Sequence, residues 1–269
     1  MNMDKRQEFE ELCRKTRHGI IGQSYKCKSG HIGCCFSCVE FMVYLYFHYL
    51  RRKDKFILSK GHACMGYYSI LKEKGIMPLK VFESAGMNGG KLGKHPDKHP
   101  EWGIECSTGS LGNGLGVGCG IAYTNKLDKK DDKVVVLLGD GECQEGSVWE
   151  ALLFIAHHKL SNLLTVIDYN NIQAMGNTND IISLYSLSEK LKAFNFDVCL
   201  IDGHDYDHLD RFFKAYKFDY NRETPLVLIL KTIKGKGMGK FENTLESHYH
   251  VLTDETYRMC KECIDGVEK

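Results

Sequence analysis

The chain holds 269 residues, 43% hydrophobic and 26% charged, with 36 basic residues against 35 acidic ones for a formal net charge of +1. This is the balance of a soluble globular protein long enough to bury a core. It sets up no global field that would draw in nucleic acid or an anionic membrane, so any anionic ligand must be held by local geometry. The N-terminal stretch MNMDKRQEFEELCRK is charged throughout and lacks the apolar core of a signal peptide. The most apolar run, Phe41–Leu50, is too short to span a bilayer and contains His48. A cytoplasmic chain with no nucleic-acid or membrane partner is expected. Without a secretory signal, the twelve cysteines read as reduced thiols acting as small hydrophobes. The clusters Cys34/Cys35/Cys38 and Cys260/Cys263 lack a second pair at the spacing a structural zinc site needs.

Along the chain, residues 5–27 and 36–49 read as helices separated by the turn KSGHIG. Lys55–Ser59 is a short strand, followed by a loop and a helix in SKGHACMGYYSILKEKG. Residues 85–114 are rich in glycine and histidine and poor in apolar residues, and so long an irregular stretch in a compact domain is usually functional. A Gly/Ala-rich helix then runs to about Lys126. Beyond it the pattern alternates regularly. Strands are expected at Lys133–Leu138, Leu163–Asp168, Val198–Ile201 and Leu226–Thr232, with helices at 146–158, 184–194 and 205–217 between them. Runs such as VVVLL and LVLIL are apolar at every position, as parallel strands covered on both faces are. The expected fold is therefore α/β, one doubly wound parallel sheet flanked by helices, spanning 1–269 as a single domain with a polar C-terminal tail. In such sheets ligands bind at the carboxyl ends of the strands.

GDGECQEG (139–146) stands at one of those ends. The glycines let the backbone turn sharply and approach a ligand. Asp140 can offer a carboxylate to a hard cation, and the helix that follows presents free amides and a positive dipole end. The next strand delivers Asn170, 170 − 140 = 30 residues on, again at a carboxyl end. One carboxylate and one amide oxygen leave most of an octahedral shell open, the arrangement magnesium takes when diphosphate oxygens and water fill the rest. Taken singly, GDG and YNN are turns. Paired across one βαβ unit, they read as a metal–diphosphate site.

GDG followed thirty residues later by Asn resembles the thiamine diphosphate signature, and residues 15–255 resemble the N-terminal, diphosphate-binding domain of transketolases. The resembling motifs come in the family's order: SGHIG (29–33), LSKGH (58–62), GKHPD (93–97), STGSLGNGL (107–115), GDGECQEGSVWEA, DYNNI, DGHD (202–205) and TIKGKG…SHYH. The resemblance implies that Asp140, Asn170 and the carbonyl of Ile172 hold Mg²⁺ or Ca²⁺. It places the Gly141 amide on the diphosphate with His62 and His248 nearby, and Gly109, Ser110 and Leu111 along the cofactor. His31, His62, His95 and His248 would surround the thiazolium and move protons on donor and acceptor sugars, work that suits a side chain whose pKa lies near neutrality. Glu145 would join a carboxylate network at the subunit interface, close to the cofactor.

The remaining histidines read otherwise: His48, His157, His158, His204 and His208 fall in helices or at helix starts and are expected as surface or capping residues. Departures from the family cluster at Ile32, Cys34, Cys35 and Lys94, which are expected to line the substrate channel. The resemblance also implies a split enzyme, because the pyrimidine-binding and C-terminal domains of a complete transketolase have no counterpart here. The expectation is an α₂β₂ assembly in which a partner chain supplies those domains, and in which a two-carbon ketol unit passes between sugar phosphates. Two alternatives stand beside it: part of another thiamine diphosphate enzyme, one that takes a 2-oxo acid, and a non-catalytic protein that retains the fold. Nicotinamide binding is disfavoured because no strand–GxGxxG–helix fingerprint opens the sheet.

Overall fold

The computed structural model describes residues 3–216 and 222–266. The long first helix, α1 (Met3–Cys27), is followed by α2 (Ile32–Phe36), α3 (Val39–Tyr44) and a π-helical turn at Leu45–Tyr49. Next come β1 (Lys55–Leu58), α4 (Cys64–Glu73), α5 (Leu79–Glu83) and α6 (Asn113–Leu127). The alternating half holds β2 (Val134–Gly139), α7 (Gly146–His157), β3 (Leu163–Tyr169), the small hairpin β4 (Ile172–Gln173) and β5 (Gly176–Asn177), and α8 (Thr178–Ile181). It closes with α9 (Leu187–Ala193), β6 (Asp197–Asp202), α10 (Tyr206–Ala215), β7 (Leu226–Lys231) and α11 (Asp254–Ile264).

The five long strands form one sheet in the order β1-β2-β3-β7-β6, every pair parallel. This is the α/β architecture read from the sequence. Each central strand feeds two cores. In β2, Val135 and Leu137 join the core under α1, α3, α4 and α10, while Val134, Val136 and Leu138 join the one under α6, α7 and α9. β7 divides the same way, with Leu226, Leu228 and Leu230 on one side and Val227 and Ile229 on the other. Each such fully buried aliphatic side chain contributes about 1.5–3 kcal/mol of hydrophobic transfer. From β3 the chain runs to the far edge at β6 beneath α9, then returns inward to β7. A right-handed crossover that reverses direction must switch faces, which is why α10 covers the opposite side from α9. All five carboxyl ends therefore share one rim.

Several expectations change in detail. The helix read over 36–49 starts earlier and is broken at Ser37–Cys38, where Ser37 turns its hydroxyl onto Asp168 Oδ2 (2.6 Å). The helix read at 184–194 is shorter, Leu187–Ala193. The helix read at 205–217 runs Tyr206–Ala215 behind an Asp205 cap, and residue 217 lies outside the described residues. The stretch expected as a polar tail is largely α11, which starts with a Thr253 capping box and buries Cys260 at its base. Its charged residues face solvent, so composition alone hides its amphipathic period. All twelve cysteines are free thiols, and no helix among the described residues is long and apolar enough to cross a membrane.

Candidate active site

The register pairs Gly139 of β2 with Asp168 of β3, so the residues just past both strands emerge side by side. Asp140 leaves the strand 3% exposed and accepts the amides of Gly141 (2.8 Å) and Asn171 (2.6 Å). Burial, with Asp168 close by, raises its carboxyl pKa to about 6. Asn170 is also buried. Its Nδ2 donates to Asp168 Oδ2 (3.2 Å) and its Oδ1 accepts the Ile172 amide (3.1 Å). The Ile172 carbonyl accepts from Lys234 Nζ (2.7 Å). A carboxylate, an amide oxygen and a peptide carbonyl thus stand at one place, with an ammonium already on one of them. One carboxylate with two neutral oxygens makes this mixed set a candidate for a hard cation that keeps other oxygen ligands; among the described residues no group of three or more His, Cys, Asp or Glu could hold a metal ion.

Beneath it lies a buried ion pair that sequence reasoning missed. Lys60, of LSKGH, donates from its ammonium to Asp168 Oδ2, and Thr232 Oγ1 donates to Oδ1. Burial alone would push the Asp168 carboxyl up and the Lys60 ammonium down. Their mutual attraction wins, holding Asp168 below and Lys60 above the ordinary value. Glu142 was missed as well. It lies buried, accepting the Ser59 hydroxyl and the amides of Gly112 (2.9 Å) and Gly139 (3.0 Å), and so ties the STGSLGNGL loop to the GDG turn. The signal for both was a charged residue beside a glycine at a strand end, Lys60 in LSKGH and Glu142 in GDGECQEG.

At the other end the four expected histidines converge, though their loops are far apart in sequence. Ring centroids lie 5.6 Å from His31 to His62, 6.0 Å to His95 and 5.8 Å to His248, and 5.7 Å from His62 to His248. Burial pushes the His31 pKa down to about 4, so its imidazole is neutral at physiological pH. Gly109 has φ +134, and a Cβ there would sit 2.9 Å from the His95 ring; only glycine lets that loop pass beneath it. Between the two ends is a cavity of about 430 Å³ whose walls include His31, His62, His95, His248, Gly109, Leu111, Asp140, Gly141, Glu145, Asn170 and Ile172. Of the residues singled out from sequence, Ser110 is not in its wall: it is exposed and accepts from Asn113 Nδ2 on the outer side of α6.

Two further expectations are corrected. Ile32, Cys34 and Cys35 are fully buried and absent from the cavity wall, so they support the histidines from below. Cys34 Sγ lies 3.8 Å from His248 Nδ1. Burial would raise that thiol's pKa, but Lys234, His62 and His248 together pull it well below the ordinary value. Lys94 points away to the Lys28 carbonyl (3.2 Å). His204, expected at the surface or as a cap, is instead held between Glu40 and the Ile233 amide.

The family model described as "Transketolase, thiamine diphosphate binding domain" matches residues 11–267. An apulose-4-phosphate transketolase subunit from Phocaeicola vulgatus is 38% identical over 97% of this chain and 96% of its own length. The 6-deoxy-6-sulfo-D-fructose transketolase subunit SqwG of Clostridium sp. (strain MSTE9) is 34% identical over 85% of this chain and 86% of its own. The crystal structure of transketolase from Campylobacter jejuni superposes with a TM-score of 0.85 at 26% identity, covering 98% of this chain but 43% of that one. The chain thus matches nearly the whole of two transketolase subunits and less than half of an undivided enzyme. It belongs to the transketolase family, whose members transfer ketol groups with thiamine diphosphate, and it is the diphosphate-binding, N-terminal subunit of such an enzyme.

Proposed function

We propose that the cavity holds thiamine diphosphate together with Mg²⁺ or Ca²⁺, and that a partner chain completes a site where a two-carbon ketol unit passes from a ketose to an aldose. The observation that carries this reading is the cavity's polarity: buried oxygen donors at one end, four imidazoles at the other. The residues fit the absent groups. Asp140 is a carboxylate whose pKa burial has raised to about 6, which a divalent cation beside it would reverse. Asp140, Asn170 and the Ile172 carbonyl would hold the cation. The Gly141 amide and Lys234 would hold the diphosphate, with His62 and His248 nearby, and Gly109 and Leu111 would lie along the cofactor, Ser110 being set outside the wall.

When bound, thiamine diphosphate supplies the carbon nucleophile of ketol transfer. The chain's own part is to orient, to exclude water and to carry protons. A neutral His31 can accept a proton from a sugar hydroxyl, and His62, His95 and His248 stand close enough to share the acid and base steps. Four imidazoles suit a polyhydroxylated substrate better than a 2-oxo acid, which has fewer protons to move. The two subunit relatives are named for a sugar phosphate and a sulfosugar, so the proposed substrates are sugars with an anionic tail.

The partner follows from the cavity's open side. Met175 and Ile182, both in the cavity wall, are 73% and 59% exposed, an apolar rim that a second chain would cover. In this family the glutamate that activates the aminopyrimidine stands on the pyrimidine-binding domain, so we assign it to a partner of about 300 residues in an α₂β₂ assembly, with Glu145 at the shared interface. The test is reconstitution. The isolated chain should give no ketol transfer from ketose phosphates, and adding the partner, thiamine diphosphate and Mg²⁺ should restore it. Full turnover by the isolated chain would remove the partner from this reading, and turnover of pyruvate alone would remove ketol transfer.

A further inference from the structure

Lys234 reaches the cavity from a segment with no helix or strand of its own. Residues 233–237 turn through Gly235 and Gly237, with φ of +74 and +93. Such a segment keeps its shape only if something outside it supplies partners for its backbone. The Ile233 amide donates to His204 Nε2 (2.8 Å). Because a peptide N–H can only donate, Nε2 is the acceptor and the ring proton sits on Nδ1, which lies 3.0 Å from Glu40 Oε2. The other oxygen of Glu40 takes Arg17 Nη2 (2.5 Å), and Arg17 Nε donates to the Lys236 carbonyl (3.1 Å). The sequence of bonds therefore leaves the loop at residue 233 and returns to it at 236.

This ring of contacts is largely buried and borders a second cavity of about 340 Å³, whose walls include Arg17, Glu40, His204, Lys236 and Gly237. Arg17 and Glu40 are each 8% exposed. A Cβ on Gly237 would lie 3.3 Å from Arg17 Nε, so that glycine lets the guanidinium pass against the loop. None of Arg17, Glu40 and His204 is in the wall of the catalytic cavity. They come from α1, α3 and the turn after β6.

We propose that Arg17, Glu40 and His204 are positioning residues that clamp residues 233–236 from outside the cavity and thereby hold Lys234 in the cavity wall, with its ammonium within reach of the Ile172 carbonyl and of a diphosphate beside it. The consequence for cofactor binding rests on the reading of the cavity given above; the clamp does not.

The experiment compares His204→Asn, His204→Gln and His204→Leu in the full chain. An asparagine amide can replace the Nδ1 donor to Glu40, whereas a glutamine oxygen reaches the place of Nε2 and can accept the Ile233 amide. Hydrogen exchange of residues 233–237 should be near wild type in the Gln variant. In the Asn and Leu variants it should be faster by about tenfold or more, the scale of one buried hydrogen bond left unmade. Calorimetry with thiamine diphosphate and Mg²⁺ in the partner complex should follow the same order, with Kd raised about tenfold in Asn and Leu and kcat at saturating cofactor little changed. Unchanged exchange in a folded His204→Leu, or equal effects of Asn and Gln, would overturn the clamp. If the Leu variant does not fold, the Asn–Gln pair still decides. If the wild type binds no thiamine diphosphate, the cofactor reading fails while exchange still judges the clamp.

Discussion

At the carboxylate end of the cavity, Asp140, Asn170 and Asp168 are almost wholly buried, and each is fixed by two or more hydrogen bonds, to backbone amides, to one another, or to Lys60, Ser37 and Thr232. At the histidine end, His31, His62 and His248 are half-buried, His95 is exposed, and they meet ring against ring. The first end is part of the core and is organised by folding. The second is carried on loops, where side chains can adjust to a substrate. Substitutions at the carboxylate end should therefore change binding and stability together, while those at the histidine end should change turnover and leave the fold alone.

The sharpest break is Asp140→Ala. Calorimetry should find thiamine diphosphate–Mg²⁺ affinity lower by at least about a thousandfold, about 4 kcal/mol. Cofactor bound as in wild type would remove Asp140 from the cation site. Next is Lys60→Met, which leaves Asp168 buried without its cation and should lower the unfolding free energy in urea by about 3–5 kcal/mol. Adding Asp168→Asn, which removes the charge and keeps one oxygen to accept from Thr232 while its amide nitrogen can donate to the Ser37 hydroxyl, should recover part of that loss. A single-mutant loss under 1 kcal/mol, in the range of exposed pairs, would show that the pair is not the core element described here.

At the other end, His62→Ala in the reconstituted complex should lower kcat by about a hundredfold, within the usual range of acid–base catalysis, while the urea midpoint of the chain stays put. A matching fall in stability would erase the contrast between the two ends. The smallest effect concerns pH. His31 has its folded pKa pushed down to about 4 by burial, against an unfolded value near 6.5. Between those values the unfolded chain takes up a proton and the folded chain does not. This contribution is therefore intact above pH 6.5 and is lost as pH falls towards 4. Asp140, with its folded pKa raised to about 6, acts in the opposite sense, so the measurement must be a difference. The urea midpoint of His31→Phe relative to that of wild type should be higher at pH 5 than at pH 7, and a relative midpoint that does not rise would remove the His31 contribution.

Much of the site was legible because its signals are local. The GDG turn and the asparagine thirty residues on are each a few residues long, and an apolar strand on either side fixes where they emerge. The histidines were legible through their glycine-rich turns, which have little structural reason to carry imidazoles. What escaped were residues whose role depends on a partner distant in sequence. Lys60 and Asp168 are 108 positions apart, and neither announces the other. His204 and Glu40 are separated by 164 positions, and beside a helix start His204 looks like a cap. Cys34 and Cys35 looked like channel residues because they follow His31, but α2 turns them into the core.

The amino-acid sequence by itself determined the strands, the doubly wound sheet and the rim on which chemistry must sit, because apolar runs buried on both faces admit few other arrangements. It set Asp140 beside Asn170 for the same reason: they follow directly on adjacent parallel strands, so strand pairing alone brings them together. Only the tertiary structure decided how the four histidine loops meet, which charged residue neutralises Asp168, and what holds residues 233–237 in place. Those contacts join segments with no common hydrogen-bonded register, and their geometry is set by the packing of α1, α3 and α4 against the sheet, which no local pattern encodes.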